Sequence, residues 1–341
     1  MKLETTDDIK NMLRMYIPSA ALGAAMELQL FWQLAKKPSD VEEVSRLLNI
    51  PLDRCRCWLE LLVGFNLLEY SNGTYSPSAV ARSAILETYS ADSWAHFAQE
   101  MRERYRAGDN LALHITHQES VWKSQGIEPP DWFAQIVESP KRAERFTRML
   151  FDLHSPFAKK LAQRLDMTNV RQLMDLGGGS GVVSLALLKR YDDLKAVIVD
   201  IDSVCDVGRE IADKTPMADR ITYHAADFLR DDLPTGFDMI LECDVGIYTE
   251  ELFHKLRGTL NEGGRLVIVT NLDGLSAWLT KTGKKPPLDR LMNVFLGSLG
   301  SPKLTTTSIQ DVKEPLMNAG FQNVSEQVWD DGTVLIQALD Q

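Results

Sequence analysis

Met174-Asp175-Leu176-Gly177-Gly178-Gly179-Ser180-Gly181 is the stretch whose reading decides the fold, with Val170-Arg171-Gln172-Leu173 before it and the helical run Val182 to Tyr191 after it. An apolar segment that enters clustered glycines and leaves as a helix predicts a strand, a tight turn and a helix N-terminus, where a ligand can lie against bare backbone. A G-x-G-x-x-G pyrophosphate fingerprint would need glycine at 182, where Val182 stands. No G-K-[ST] follows, so the turn is not a P-loop.

The remaining pattern is D-x-G-x-G-x-G, with Asp175 closing a strand and Gly177, Gly179 and Gly181 in the turn. A second acid, Asp200, closes the apolar run Ala196-Val197-Ile198-Val199 and could accept hydrogen bonds from both hydroxyls of a ribose. Farther on, Ala225-Ala226-Asp227-Phe228 follows the strand Ile221 to His224, offering a carboxylate for an exocyclic amine and a ring to stack on adenine. Taken alone, the glycines fit a tight βα connection as well as a ligand cradle, and an Asp at a strand end fits a helix cap. Three acidic strand ends in this order favour the nucleoside site.

With Asp238 to Glu242 and Gly263-Gly264-Arg265-Leu266-Val267-Ile268-Val269, these residues resemble the class I S-adenosylmethionine-dependent methyltransferases. The resemblance covers roughly the C-terminal half. It implies that Asp175, Gly177, Gly178, Gly179 and Gly181 face the amino-acid portion of S-adenosylmethionine, Asp200 with Ile201 the ribose, and Asp227 with Phe228 the adenine, Cys243 completing the cofactor set.

Composition bounds the rest. The 341 residues suffice for two cores, and 44% hydrophobic with 25% charged residues is ordinary for a globular chain. A net charge of −11 argues against nucleic acid and anionic membranes as partners. The acidic, polar start Met1 to Asp8 reads as neither signal nor transit peptide, so a cytoplasmic location is expected. Ile17 to Leu34 is the most apolar helical stretch, but Glu27 and Gln29 within it suit a buried or dimer-forming helix better than a membrane span. Cys55, Cys57, Cys205 and Cys243 are too scattered for a disulfide framework, and no metal site is expected.

Three regions follow: 1–90, 91–166 and 167–341. In the first, helical periodicity from Ile9 to Leu34 predicts two helices broken near Pro18. Ser39 is expected to cap a helix through Leu48, and Pro51 to open another through Gly64. Strands Leu67 to Tyr70 and Thr74 to Ser76 should flank a turn at Asn72-Gly73. Helix, turn, helix and hairpin make a winged helix, which invites a ligand-responsive DNA regulator as an alternative. Between Ser39 and Arg82, however, stand only four basic residues (Arg46, Arg54, Arg56, Arg82) against six acidic ones (Asp40, Glu42, Glu43, Asp53, Glu60, Glu69). That balance offers phosphates little to hold. A dimerising module is preferred, as in the small-molecule O-methyltransferases of plants and bacteria that the chain resembles, and a homodimer is expected.

The middle region is helical and aromatic. The resemblance assigns its helices to a small-molecule substrate pocket, with Phe97, Met101, Arg142, Arg145 and Met149 lining it and Asn271, after the fifth strand of the second domain, closing it. Ordinary core packing is the blander reading for the aromatic and Met positions. From Val170 to Val269 strands and helices alternate, and Asn323 to Trp329 with Thr333 to Leu339 read as an antiparallel pair. The fold class expected is α/β: a Rossmann-like seven-stranded methyltransferase domain after a mostly helical winged-helix dimerisation domain.

One departure bears on chemistry. The O-methyltransferases this chain resembles carry, after their fourth strand, a His that deprotonates the acceptor hydroxyl; Ile240 to Glu251 contains none. A phenol with an ordinary pKa of about 10 is a poor nucleophile at neutral pH without a base. The base could come from His154, Asp244 or Tyr248, the acceptor could be already nucleophilic, or the domain could bind cofactor without catalysis. A thioether has no proton to lose, so the leading expectation is S-methylation of a small thioether acid such as 4-methylthio-2-hydroxybutyrate, as in dimethylsulfoniopropionate synthesis, with the Arg142 to His154 segment anchoring its carboxylate. The alternative is O-methylation of a phenolic or other secondary metabolite.

Overall fold

The computed structural model describes residues 3–118, 120–127, 136–270, 286–300 and 308–340, and the chain divides into two compact units, Met1–Asp109 and Asn110–Gln341.

The first unit begins with three helices, α1 (Thr6–Leu13), α2 (Tyr16–Glu27) and α3 (Leu30–Lys36), not two. The break expected near Pro18 falls at Arg14 and Met15. Pro18 is the third residue of α2, where a helix has no use for its missing N–H. A second break comes at Gln29, whose φ is 54°. The cap of α4 (Val41–Leu48) also differs: Asp40, not Ser39, accepts from the N–H of Glu43 at 2.8 Å. Ser39 is engaged elsewhere, exchanging two backbone hydrogen bonds with Tyr75. After α5 (Leu52–Gly64), strands β1 (Leu68–Ser71) and β2 (Thr74–Pro77) pair antiparallel around Asn72 and Gly73, both at positive φ as a tight hairpin requires. Phe31, Leu34, Leu59, Leu62 and Tyr75 fill this core. Helix α6 (Ala91–Tyr105) packs on α2 and belongs to the same unit, so the division lies after it.

The second unit, after the short helical turns Leu111–His114 and Val121–Ser124, contains the long helix α7 (Pro140–Arg164) and builds one seven-stranded sheet. Its elements are β3 (Gln172–Leu176), α8 (Val182–Leu188), β4 (Lys195–Asp200), α9 (Asp202–Ala212), β5 (Ile221–Ala225), β6 (Phe237–Cys243), α10 (Glu250–Arg257), β7 (Leu260–Thr270), α11 (Leu288–Gly300), α12 (Ile309–Asn318), β8 (Gln322–Val328) and β9 (Val334–Leu339). Strand order is β5-β4-β3-β6-β7-β9-β8, parallel from β5 to β7, with β9 antiparallel to both β7 and β8. Alternate residues supply two cores: Leu173, Ile198, Met239, Leu241 and Val267 pack on one face, Met174, Leu176, Val199, Ile240 and Ile268 on the other. At the strand starts, Asp238 accepts the backbone N–H groups of Arg171 and Gln172, each at 2.9 Å. The opposite, carboxyl ends are left for function. There the strand order reverses between β3 and β6, the switch point at which open α/β sheets bind ligands.

No helix among the described residues is long and apolar enough to cross a membrane. Asn271 lies outside the described residues.

Candidate active site

Four glycines build the turn between β3 and α8, and their surroundings distinguish them. A Cβ on Gly177 would lie 2.5 Å from Val245 Cγ2, one on Gly178 2.6 Å from the carboxyl carbon of Asp175, and one on Gly181 2.7 Å from the Tyr223 hydroxyl. The chain itself therefore demands glycine there. A Cβ on Gly179 would meet nothing within 4 Å, although its φ of 59° also favours glycine. Gly179 is the position of the turn that faces open space, and its bare backbone can receive a ligand.

The two acids expected beside this turn take different places. Asp175 is 1% exposed and accepts from Ser184 Oγ at 2.7 Å, so it locks the turn onto α8 from beneath. Burial, with the charge of Asp200, pushes its pKa up to about 6. Asp200 stands at the tip of β4. Its Oδ2 accepts from Gly179 N–H and its Oδ1 from Ile201 N–H, both at 2.8 Å. Each oxygen retains a lone pair for a hydroxyl of a ribose. Desolvation raises its pKa, while both N–H bonds favour the ionised form. Asp227 accepts from Leu229 N–H at 3.0 Å, and the ring of Phe228 packs against the second core. Cys243 is half-buried beside the first core; burial and the charges of Asp175, Glu242 and Asp244 hold its thiol protonated, with a pKa well above the usual value.

The segment after β6 carries the catalytic candidates. Asp244, in the left-handed region at φ 61°, accepts from Thr270 Oγ1 at 3.2 Å. Burial and the charge of Glu242 raise the pKa of Tyr248, so its phenol stays protonated and cannot act as a base near neutrality. His154, on α7, has an exposed side chain. Desolvation lowers its pKa, and Asp244 is close enough to pull it partly back.

The expected substrate residues are divided between the two units. Arg142 is half-buried, Arg145 is exposed, and Met149 is 4% exposed, a core position. Arg148, within the segment expected to anchor a carboxylate, pairs with both Glu144 and Glu210. Phe97 and Met101 belong to α6 of the first unit, Phe97 edge-on to Trp94 with ring centroids 6.0 Å apart.

Glu242 has no role assigned by the sequence pattern alone. It closes the short apolar run Met239 to Leu241, the kind of signal that singled out Asp200. It is 3% exposed; its Oε1 accepts the N–H groups of Val245 at 2.5 Å and Gly246 at 3.2 Å. Its Oε2 is buried with no hydrogen-bond partner among the described residues.

Comparison with known proteins agrees with this geometry. Residues 105–303 match the O-methyltransferase domain family and residues 11–86 the O-methyltransferase dimerisation domain. The 3-hydroxy-5-methyl-1-naphthoate 3-O-methyltransferase of Streptomyces sahachiroi is 30% identical over 288 residues, 82% of this chain and 80% of that protein. The L-tyrosine C(3)-methyltransferase of Streptomyces lavendulae is 25% identical over 315 residues, 88% and 82% of the two chains. Among solved structures, one described as PigF with SAH superposes with a TM-score of 0.78 at 19% identity, covering 99% of this chain and 100% of that one. The family match and the naphthoate O-methyltransferase favour the O-methylation alternative, and none of these relatives supports S-methylation of a thioether acid. The open face at Gly179, the free lone pairs of Asp200 and the orphaned oxygen of Glu242 fit a hydrogen-bonding, cationic nucleoside cofactor. The chain belongs to the O-methyltransferase family and is an S-adenosylmethionine-dependent methyltransferase.

Proposed function

We propose that the enzyme methylates a hydroxyl group of a phenolic or related secondary metabolite, with His154 receiving the acceptor's proton. The observation that carries this reading is that His154, on α7, feels the charge of Asp244, the residue that follows β6. The lowered pKa of His154 keeps its imidazole neutral near pH 7, the form a base needs, and the negative charge of Asp244 favours the imidazolium once the proton has moved. The methyl donor supplies an electrophilic methyl group on a sulfonium. The protein then has to align the acceptor oxygen, remove its proton and exclude water.

Two relatives support an aromatic acceptor: a hydroxynaphthoate in one name, and in the other tyrosine, which is also a phenol. The pairing of Arg148 with Glu144 and Glu210 further weakens the case for a carboxylate anchor on this segment. The first unit supports a homodimer. Helix α1 has no buried residue, and Ile9, Met12 and Leu13 with Tyr16 and Ile17 at the start of α2 are all exposed, an apolar surface that a second copy would cover.

The test is mass-spectrometric detection of methyl gain on panels of phenols and of thioether acids. Gain on phenols alone, lost in His154→Ala, is the expected result. Gain on thioether acids alone, or on phenols with full activity in His154→Ala, would refute it.

A further inference from the structure

Glu242 occupies a position where the fold asks for an apolar side chain. On β6, Ile240 and Glu242 point to the same face, and Glu242 aligns with Leu176 of β3, which packs in the second core. A carboxylate there loses its hydration. One oxygen is compensated by the Val245 and Gly246 N–H groups; the other, Oε2, is not. Among the described residues no Lys or Arg forms an ion pair with it. Its charged neighbours are acids: Asp175 from β3 and Asp244 from the loop that follows, the latter within reach of His154. Cys243 and Tyr248 also feel its charge, and both stay neutral near pH 7. These acids are not arranged to hold a metal ion. Such a site excludes anions and disfavours neutral donors relative to a cation.

The location identifies the cation. Glu242 sits at the switch between β3 and β6. It holds the N–H of Val245, and the Val245 side chain packs directly against Gly177, the first residue of the turn that faces the cofactor's amino-acid portion.

We propose that Glu242 binds the ammonium group of the cofactor's amino-acid portion through Oε2, and so selects for the intact amino-acid tail. This rests on the methyl donor of the family and not on the identity of the acceptor. Binding also moves a proton. Burial, opposed by the two N–H bonds and reinforced by Asp244 and Asp175, raises the pKa of Glu242 to about 7. The empty enzyme therefore carries part of a proton on this carboxyl, and an arriving ammonium drives it off.

The experiment is isothermal calorimetry of the full chain and its Glu242→Gln variant with S-adenosylhomocysteine, which has the ammonium, and with 5′-methylthioadenosine, which lacks it. The glutamine can still accept the Val245 and Gly246 N–H bonds, so the loop keeps its shape. Affinity for S-adenosylhomocysteine is expected to fall about ten- to hundredfold, as for the loss of a charge-assisted hydrogen bond, with 5′-methylthioadenosine unchanged. Equal weakening of both ligands would mean that Glu242 only shapes the loop, and no weakening of either would mean that it touches no ligand; each overturns the proposal. The unaltered protein gives an independent reading at pH 7 in two buffers of different ionisation enthalpy. Proton release is expected with S-adenosylhomocysteine in excess of that with 5′-methylthioadenosine, and equal release would overturn the proposal even if the variant failed to fold.

Discussion

The backbone N–H of Gly179 donates to Asp200 Oδ2 at 2.8 Å, which ties the glycine turn after β3 to the tip of β4. One carboxylate thereby both shapes the cradle and offers its remaining lone pairs to the ligand. Asp200→Ala removes both functions, and cofactor affinity should fall by about 1 to 3 kcal/mol, or roughly 5- to 150-fold. Calorimetric titration with S-adenosylhomocysteine checks this; an unchanged affinity would place the ribose elsewhere.

Gly179 and Gly181 both lie at positive φ, yet replacing them should have opposite readouts. In Gly181→Ala the new methyl meets the Tyr223 hydroxyl, so the melting temperature should drop clearly. In Gly179→Ala it enters open space, and only the left-handed backbone costs about 1 to 2 kcal/mol, while cofactor binding is blocked. Paired thermal melts with and without cofactor separate the two: the Gly179→Ala melt should no longer respond to ligand.

His154 and Asp244 set the pH dependence of methyl transfer. A base is active when deprotonated, and the pKa of His154 is lowered, so the rate on a phenol should rise through a midpoint below the ordinary histidine value and be level at neutrality. His154→Ala should lose that limb and about 10² to 10⁴ of kcat. Asp244→Asn removes the charge that raises the His154 pKa, and the midpoint should move to lower pH. A midpoint that moves upward would refute the pairing.

Glu242 should also leave a mark on stability. Its pKa is raised from 4.5 to about 7 in the folded protein, so its contribution is fully present below pH 4.5 and is lost as pH rises through 7. The melting temperature of the unaltered protein should therefore decline relative to Glu242→Gln across that interval. Parallel curves for the two proteins would show that the carboxyl does not titrate there.

Leu13, 75% exposed on α1, lies in the apolar surface assigned to the homodimer. Leu13→Glu should shift the protein to a monomer in sedimentation equilibrium without altering its circular dichroism. A dimer that persists would move the interface off α1 and α2.

Much of the architecture was legible in residue order. Strands β3, β4 and β6 announced themselves as apolar runs that meet a glycine or an acid, because a parallel strand buried on both faces needs apolar side chains and its tip is where charge is tolerated. The hairpin at Asn72-Gly73 was equally plain, since few other residues accept two consecutive positive φ values. Pro18 misled because proline breaks a helix in its interior but is welcome in a first turn, and sequence alone does not say which applies.

What the sequence by itself determined is therefore the list of groups: a glycine turn, acidic strand ends, and a segment after β6 with no histidine in it. Only the tertiary structure decided how those groups divide their work. Asp175 and Asp200 look alike as strand-end acids, but packing buries the first against Ser184 and leaves the second at the open edge of the turn. His154 is distant from Asp244 in the chain, and α7 brings it within electrostatic reach. Glu242 reads as one more acid at a strand end until burial leaves Oε2 without a hydrogen-bond partner among the described residues. Hydrogen bonding and desolvation depend on what surrounds a side chain in space, and for these residues the surroundings come from elements far apart in sequence.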